Sequence, residues 1–193
     1  MEVNRAEYKK SFATTVIILI LLGGLIYLYN AKQTEMTEGP KPAASGQGDF
    51  PDLETVTVDH FVDGDTVTVH GASGNWTIRF IGCDTPETIK PNAPVQPYGP
   101  EASQHTKQRI LDFGGIVTLA ADGDRFDRFG RRLAMVYLGQ GDIRDLVLLN
   151  EELIYLGLAE YEPQYNYSRE KKERFRAAQE DARQNRRGIW SAP

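Results

Sequence analysis

Glu54-Thr55-Val56-Thr57-Val58-Asp59, the turn Asp63-Gly64, and Thr66-Val67-Thr68-Val69-His70 form the stretch whose reading decides the fold. Polar and apolar residues alternate on both sides of the turn, which is the period of a strand with one buried face. A second turn cluster, Gly71-Ala72-Ser73-Gly74-Asn75, leads into Trp76 to Ile81. Short β-rich runs separated by glycine-rich turns predict three successive antiparallel strands.

Downstream, Gly99 to Phe113 reads as a helix, with Pro100 suited to a first helical position and Gly114-Gly115 as its stop. Ile116 to Ala120 and Arg132 to Leu138 read as two more strands. Asp142, with Asp145 three residues on, predicts a capped helix through Leu149, with Glu151 to Leu156 extending or following it. Ser168 is expected to cap a last helix ending near Gln184. Five short strands with about three interposed helices predict an α+β, mainly β domain: a five-stranded Greek-key barrel of the OB type.

Upstream the texture is different. Phe12 to Tyr29 is 18 residues without a charge, ~27 Å as a helix against a bilayer core of ~30 Å. A core helix of a globular domain would show a polar face, and this run has none. Arg5, Lys9 and Lys10 precede it and only Lys32 follows closely. The expectation is a transmembrane anchor at 12–29 with a cytoplasmic tail at 1–11 and everything after it outside the cytoplasm. The alternative is a signal peptide, cleaved to release a secreted protein; Tyr29, two positions before Ala31, disfavours cleavage there. Residues 30–49, rich in Gly, Pro, Ala, Ser and Thr, read as a tether of roughly 25 Å to the domain at 50–193.

The net charge of −5 argues against a generic polyanion binder held by overall positive charge. The charge is uneven: Arg169 to Arg187 carries eight Lys or Arg against four acids, which leaves the middle of the chain acidic. Acids in a protein that acts on an anionic substrate need a reason, and a bound cation is one. The single cysteine, Cys83, makes no internal disulfide, and no Cys/His spacing suggests zinc.

Three stretches carry the chemistry: Val62-Asp63-Gly64-Asp65-Thr66-Val67, Ile78-Arg79-Phe80-Ile81-Gly82-Cys83-Asp84-Thr85-Pro86-Glu87-Thr88, and Asp127-Arg128-Phe129-Gly130-Arg131-Arg132-Leu133. Any one of them alone is an ordinary turn or a surface charge. If the strands pair, three or four carboxylates converge with two arginines. Carboxylate and carbonyl oxygens suit Ca²⁺ or Mg²⁺, and arginine forks suit phosphate oxygens. A divalent cation, two arginines and a spare carboxylate are the parts that phosphodiester hydrolysis requires.

These stretches, with Tyr98-Gly99-Pro100-Glu101-Ala102-Ser103 and the closing Gly188-Ile189-Trp190, resemble the thermonuclease (staphylococcal-nuclease-like) family over roughly Glu54 to Ser191. The resemblance implies an OB-fold nuclease that hydrolyses DNA and RNA to 3′-phosphate ends and uses Ca²⁺. It implies calcium ligation by Asp65, Asp84 and the carbonyl of Thr85, with Asp63 behind them. It also implies Glu87 as general base, and Arg79 and Arg131 on the phosphate. Arg128 and Tyr161 would contact nucleotide; the position two before Tyr161, a tyrosine in the best-known members, is Ala159. No protein partner is implied, and a monomer is expected. The competing class is a catalytically silent OB module that only binds nucleic acid or protein. Such a module has no need for Arg79, Arg131, Asp65, Asp84 and Glu87 together.

Overall fold

The computed structural model describes residues 52–72, 74–88 and 95–191. The expected anchor and tether lie outside the described residues. Among the described residues no helix is long and apolar enough to cross a membrane.

The strands are β1 (Leu53–Asp63), β2 (Thr66–Gly71), β3 (Gly74–Phe80), β4 (Cys83–Asp84), β5 (Ile116–Ala120), β6 (Arg132–Leu138) and β7 (Glu160–Tyr161). The helices are α1 (Gly99–Asp112), α2 (Leu149–Tyr155) and α3 (Arg169–Gln184), followed by a 3-10 turn at Gly188–Trp190. β1, β2, β3, β6 and β5 hydrogen-bond in that order and close into a barrel, while β4 and β7 form a separate two-stranded ribbon. This is the predicted OB architecture. β1 closes it by serving two neighbours: Leu53–Thr57 pair with β5, and Thr57–Asp63 pair with β2. Irregularities in register at Val58/His60 and Phe61/Asp63 bend the strand enough to do so.

Alternation supplies the core. Val67, Val69, Ile78, Phe80, Val117 and Leu119 are fully buried inside the barrel. All seven residues of β6 are buried, and Asn150 at the start of α2 ties that helix to the barrel wall. Its Oδ1 accepts the Val136 N–H at 2.8 Å, and its Nδ2 donates to the Ile81 carbonyl at 2.9 Å. A buried amide with its bonds made fixes α2 on one register.

Two local expectations need correction. The segment after Asp142 is a turn, and the helix begins only at Leu149. The Asp142 carboxylate turns back on Arg144, accepting its backbone N–H at 3.0 Å and its guanidinium. Val147 and Leu148 are drawn into extended pairing with β6, through Leu138 N–H to the Val147 carbonyl and a Tyr137–Leu148 bridge. Extended backbone cannot also be helical. Ser168 does stand at the N-cap of α3, but its hydroxyl donates to Asp122 at 2.7 Å and makes no cap bond.

Candidate active site

Register brings the three stretches to one end of the barrel. The β2–β3 pairing sets Thr66 opposite Arg79, which places the Arg79 side chain beside Asp65. The parallel β3–β6 pairing sets Arg79 opposite Leu133, bringing the loop that ends in Arg131 alongside. The β4–β7 ribbon sets Asp84 opposite Glu160 and delivers Glu162 to the same place.

The turn before β2 is built for close approach. A Cβ on Gly64 would lie 2.9 Å from both Ala102 and Thr85, so only glycine lets α1 and the Thr85 loop close over it. Asp63 is saturated. It accepts Gly64 N–H at 2.8 Å, the Thr88 hydroxyl at 2.8 Å and the Ser103 hydroxyl at 3.0 Å. It therefore stitches turn, loop and helix together at the edge of the cleft.

Asp65 is buried. Its Oδ2 accepts the Thr85 N–H at 2.7 Å and the Thr85 hydroxyl at 2.9 Å, and its Oδ1 accepts the Thr66 hydroxyl at 2.9 Å. Burial raises its pKa above the ordinary carboxylate value, against the pull of Arg79 and the Thr85 bonds. Arg79, only 5% exposed, stands at the centre. One terminal nitrogen, Nη1, contacts Asp65 Oδ2 and the Cys83 carbonyl, both at 2.6 Å. The other, Nη2, reaches Asp84 Oδ1 at 2.5 Å and Glu162 Oε2 at 3.4 Å. Burial works against its charge, but Asp65, Asp84 and Glu162 more than offset that, and its pKa is raised. The exposed Asp84 carboxylate thus meets the cleft from one side and solvent from the other.

In the loop before β6 Asp127 organises a tight turn. One of its oxygens accepts the N–H groups of Phe129 and Arg131 at 2.8 and 2.9 Å; the other accepts Arg131 Nε at 2.6 Å. Its side chain is 2% exposed. Phe129 projects into solvent, with the Arg128 and Arg131 guanidinium carbons 4.7 and 5.5 Å from its ring centre.

An open cleft of about 690 Å³ lies among these residues. Of the residues named from the sequence, Asp63, Asp65, Arg79, Asp84, Glu87, Arg128 and Arg131 line it. Glu87 is exposed, and no described residue bonds its carboxylate, so it is available as a proton acceptor. Thr85 is buried just behind, and Tyr161 lies outside the lining, packed on the core with its hydroxyl against Tyr167. The sequence reading missed Glu162, Gln164 and Tyr165, which do line the cleft. No spacing rule points to Glu162; it arrives only through the two-residue β4–β7 ribbon. Burial, reinforced by Asp84, raises the Glu162 pKa, and burial followed by Glu162 raises that of Tyr165.

The residues fit a hard divalent cation. The available donors are all oxygens, and the carboxylates of Asp65, Asp84 and Glu162 outnumber the single guanidinium between them. Among the described residues no group of three or more His, Cys, Asp or Glu side chains is placed to hold a metal ion by itself, so backbone oxygen or water would have to complete a site.

A closed OB barrel with a cleft at one end lined by both carboxylates and arginines defines the class of domain. The model of the family described as staphylococcal nuclease homologue matches residues 77–192. The thermonuclease of Staphylococcus hyicus is 38% identical over 180 residues, covering 92% of this chain and 97% of that protein. Endonuclease YncB of Bacillus subtilis (strain 168) is 37% identical over 139 residues, 72% of this chain and 63% of its own. The thermonuclease of Staphylococcus intermedius is 36% identical over 140 residues, 71% and 76% respectively. The chain belongs to the staphylococcal nuclease family.

Proposed function

We propose that this nuclease depends on calcium, hydrolyses phosphodiester bonds in both DNA and RNA, and leaves 3′-phosphate ends. The observation that carries the reading is Arg79, held between Asp65 and Asp84 in a cleft that Glu87 and Arg131 also line. Asp65, Asp84 and the Thr85 carbonyl would hold the cation, and Asp63 would hold the turn that presents them. Bound calcium would supply the divalent charge that offsets the phosphate oxygens. Arg79 and Arg131 both line the cleft and would grip the phosphate, stabilising the extra charge of the pentacoordinate transition state. Glu87 would take the proton of the attacking water. Departure of the 5′ oxygen then leaves phosphate on the 3′ side. Arg128, exposed at the rim, would meet the strand beyond the scissile bond, and Tyr161 would back the nucleotide from beside the lining.

Two carboxylates, one carbonyl and waters suggest a calcium Kd on the order of 10⁻⁴–10⁻³ M, the range of extracellular modules. Such an affinity suits a domain held outside the cytoplasm by an anchor at residues 12–29, which is the location proposed here. Digestion of DNA and RNA with calcium, and then with excess chelator, tests the reading, with phosphatase-sensitive end labelling to locate the phosphate. Hydrolysis undiminished by chelator, or ends bearing 5′-phosphate, would refute it.

A further inference from the structure

We infer that Glu162 is a positioning residue for Arg79, and that it occupies the face of the guanidinium which the scissile phosphate must take. The inference rests on the proposed phosphate role of Arg79. The two terminal nitrogens of Arg79 do different work. Nη1 is committed to the scaffold, through buried Asp65 and the Cys83 carbonyl, both at 2.6 Å. Nη2 faces the cleft, bonded to Asp84 at 2.5 Å and approached by Glu162 at 3.4 Å. A phosphate oxygen that bonds Nη2 competes with these two carboxylates for its N–H groups. Asp84 yields if it turns to a cation. Glu162 is then the remaining anion on that nitrogen.

Glu162 is held for this task. Its own N–H donates to the Gly82 carbonyl at 3.0 Å, its carbonyl accepts the Tyr167 hydroxyl at 3.3 Å, and its Oε1 accepts the Gln164 amide. Gly82 must be glycine there: its φ is +75°, and a Cβ would lie 2.6 Å from the Tyr167 oxygen. The Glu162 side chain is 17% exposed and lines the cleft. Its 3.4 Å contact is the longest of the four that Arg79 makes, and therefore the weakest. Glu162 thus adds a second acceptor for Nη2 and repels each incoming phosphate. It holds the phosphate's seat and opposes ground-state binding.

Removing the charge while keeping the acceptor should separate these effects. In Glu162→Gln the side-chain carbonyl still accepts from Nη2, but one negative charge near the phosphate is gone. At a separation of several ångströms in a wet cleft, that charge is worth about 3- to 10-fold in affinity. The expected result is a KM about 3- to 10-fold lower, with a matching gain in binding of a fluorescein-labelled single-stranded oligonucleotide under chelator. The gain should shrink in high salt. Glu162→Ala should show the same tighter binding but a kcat several-fold lower than Glu162→Gln, because Nη2 loses one of its two acceptors and is less precisely aimed. Calcium affinity, followed by calorimetry without nucleic acid, should change by less than the oligonucleotide affinity. Unchanged or weaker oligonucleotide binding by folded Glu162→Gln overturns the inference. So does a larger loss of calcium affinity, which would make Glu162 a cation residue. If wild-type protein cleaves nothing, the nuclease mechanism fails instead, and the binding comparison under chelator still decides the role of Glu162.

Discussion

Asp127 offers a sharp test of how the cleft holds Arg131. Its carboxylate is almost fully shielded, and it accepts the Phe129 and Arg131 N–H groups on one oxygen and Arg131 Nε on the other. Asp127→Ala removes all three bonds. Hydrogen bonds to a charged group contribute about 1.5–3 kcal/mol each, but these belong to one turn and do not add in full. A loss of about 2–4 kcal/mol is expected, lowering Tm by roughly 5–15 °C for a domain of this size. Asp127→Asn separates fold from function. Its carbonyl oxygen keeps the two backbone N–H bonds, but its amide nitrogen is a donor facing the donor Nε of Arg131. The turn should survive with a Tm loss of only a few degrees, while Arg131 swings free. Loss of one preorganised charge contact costs roughly 10²–10³-fold in turnover. The assay is phosphodiester turnover beside a thermal melt. If Asp127→Asn melts near wild type and also turns over near wild type, a fixed Arg131 is not needed and its assigned role is wrong.

Three further outcomes are expected. Asp65→Ala should weaken calcium binding by at least about 10- to 100-fold, the loss seen when even an outer partner of a metal ligand is removed; calorimetry on the folded variant checks it. Glu152 takes bonds from His105 and from Arg109, both at 2.7 Å, which clamp α1 to α2. Burial favours its neutral form, but those bonds prevail and hold its pKa at about 2, below the usual 4.5. Its stabilisation is present above pH 4.5 and is lost as pH falls toward about 2; Glu152→Gln should flatten that acid limb by on the order of 2–3 kcal/mol in denaturant titrations. The full chain expressed in cells should sediment with membranes and be open to external protease; recovery as a soluble protein beginning between Ala31 and Asp49 would favour signal cleavage.

The barrel was legible because its strands alternate: one face of β1, β2 and β3 must be buried, and the pattern says which. The chemistry was legible where it sits in strands or the tight turns between them, as with Asp65, Arg79 and Asp84. Register then does the convergence, since Thr66 opposite Arg79 suffices to join the first two stretches. What stayed hidden depends on contacts distant in sequence. Glu162 reaches Arg79 across 83 positions through a ribbon of two-residue strands too short to leave a periodic signal. The Asp142 segment misleads because its carboxylate can cap a helix or close on Arg144 with equal local logic. Only the pull of β6 on Val147 and Leu148 decides between them.

The most direct measurement of the central claim is phosphodiester turnover in calcium by Arg79→Lys and Glu87→Gln, each beside its thermal melt. A lysine ammonium cannot bond Asp65 and the Cys83 carbonyl through one nitrogen while presenting another to the phosphate. Glutamine at 87 keeps the size of the side chain and abolishes its basicity. Both variants should fold and lose roughly 10²–10³-fold in turnover. Folded variants with near-normal turnover would place the chemistry elsewhere and make this cleft a binding surface only.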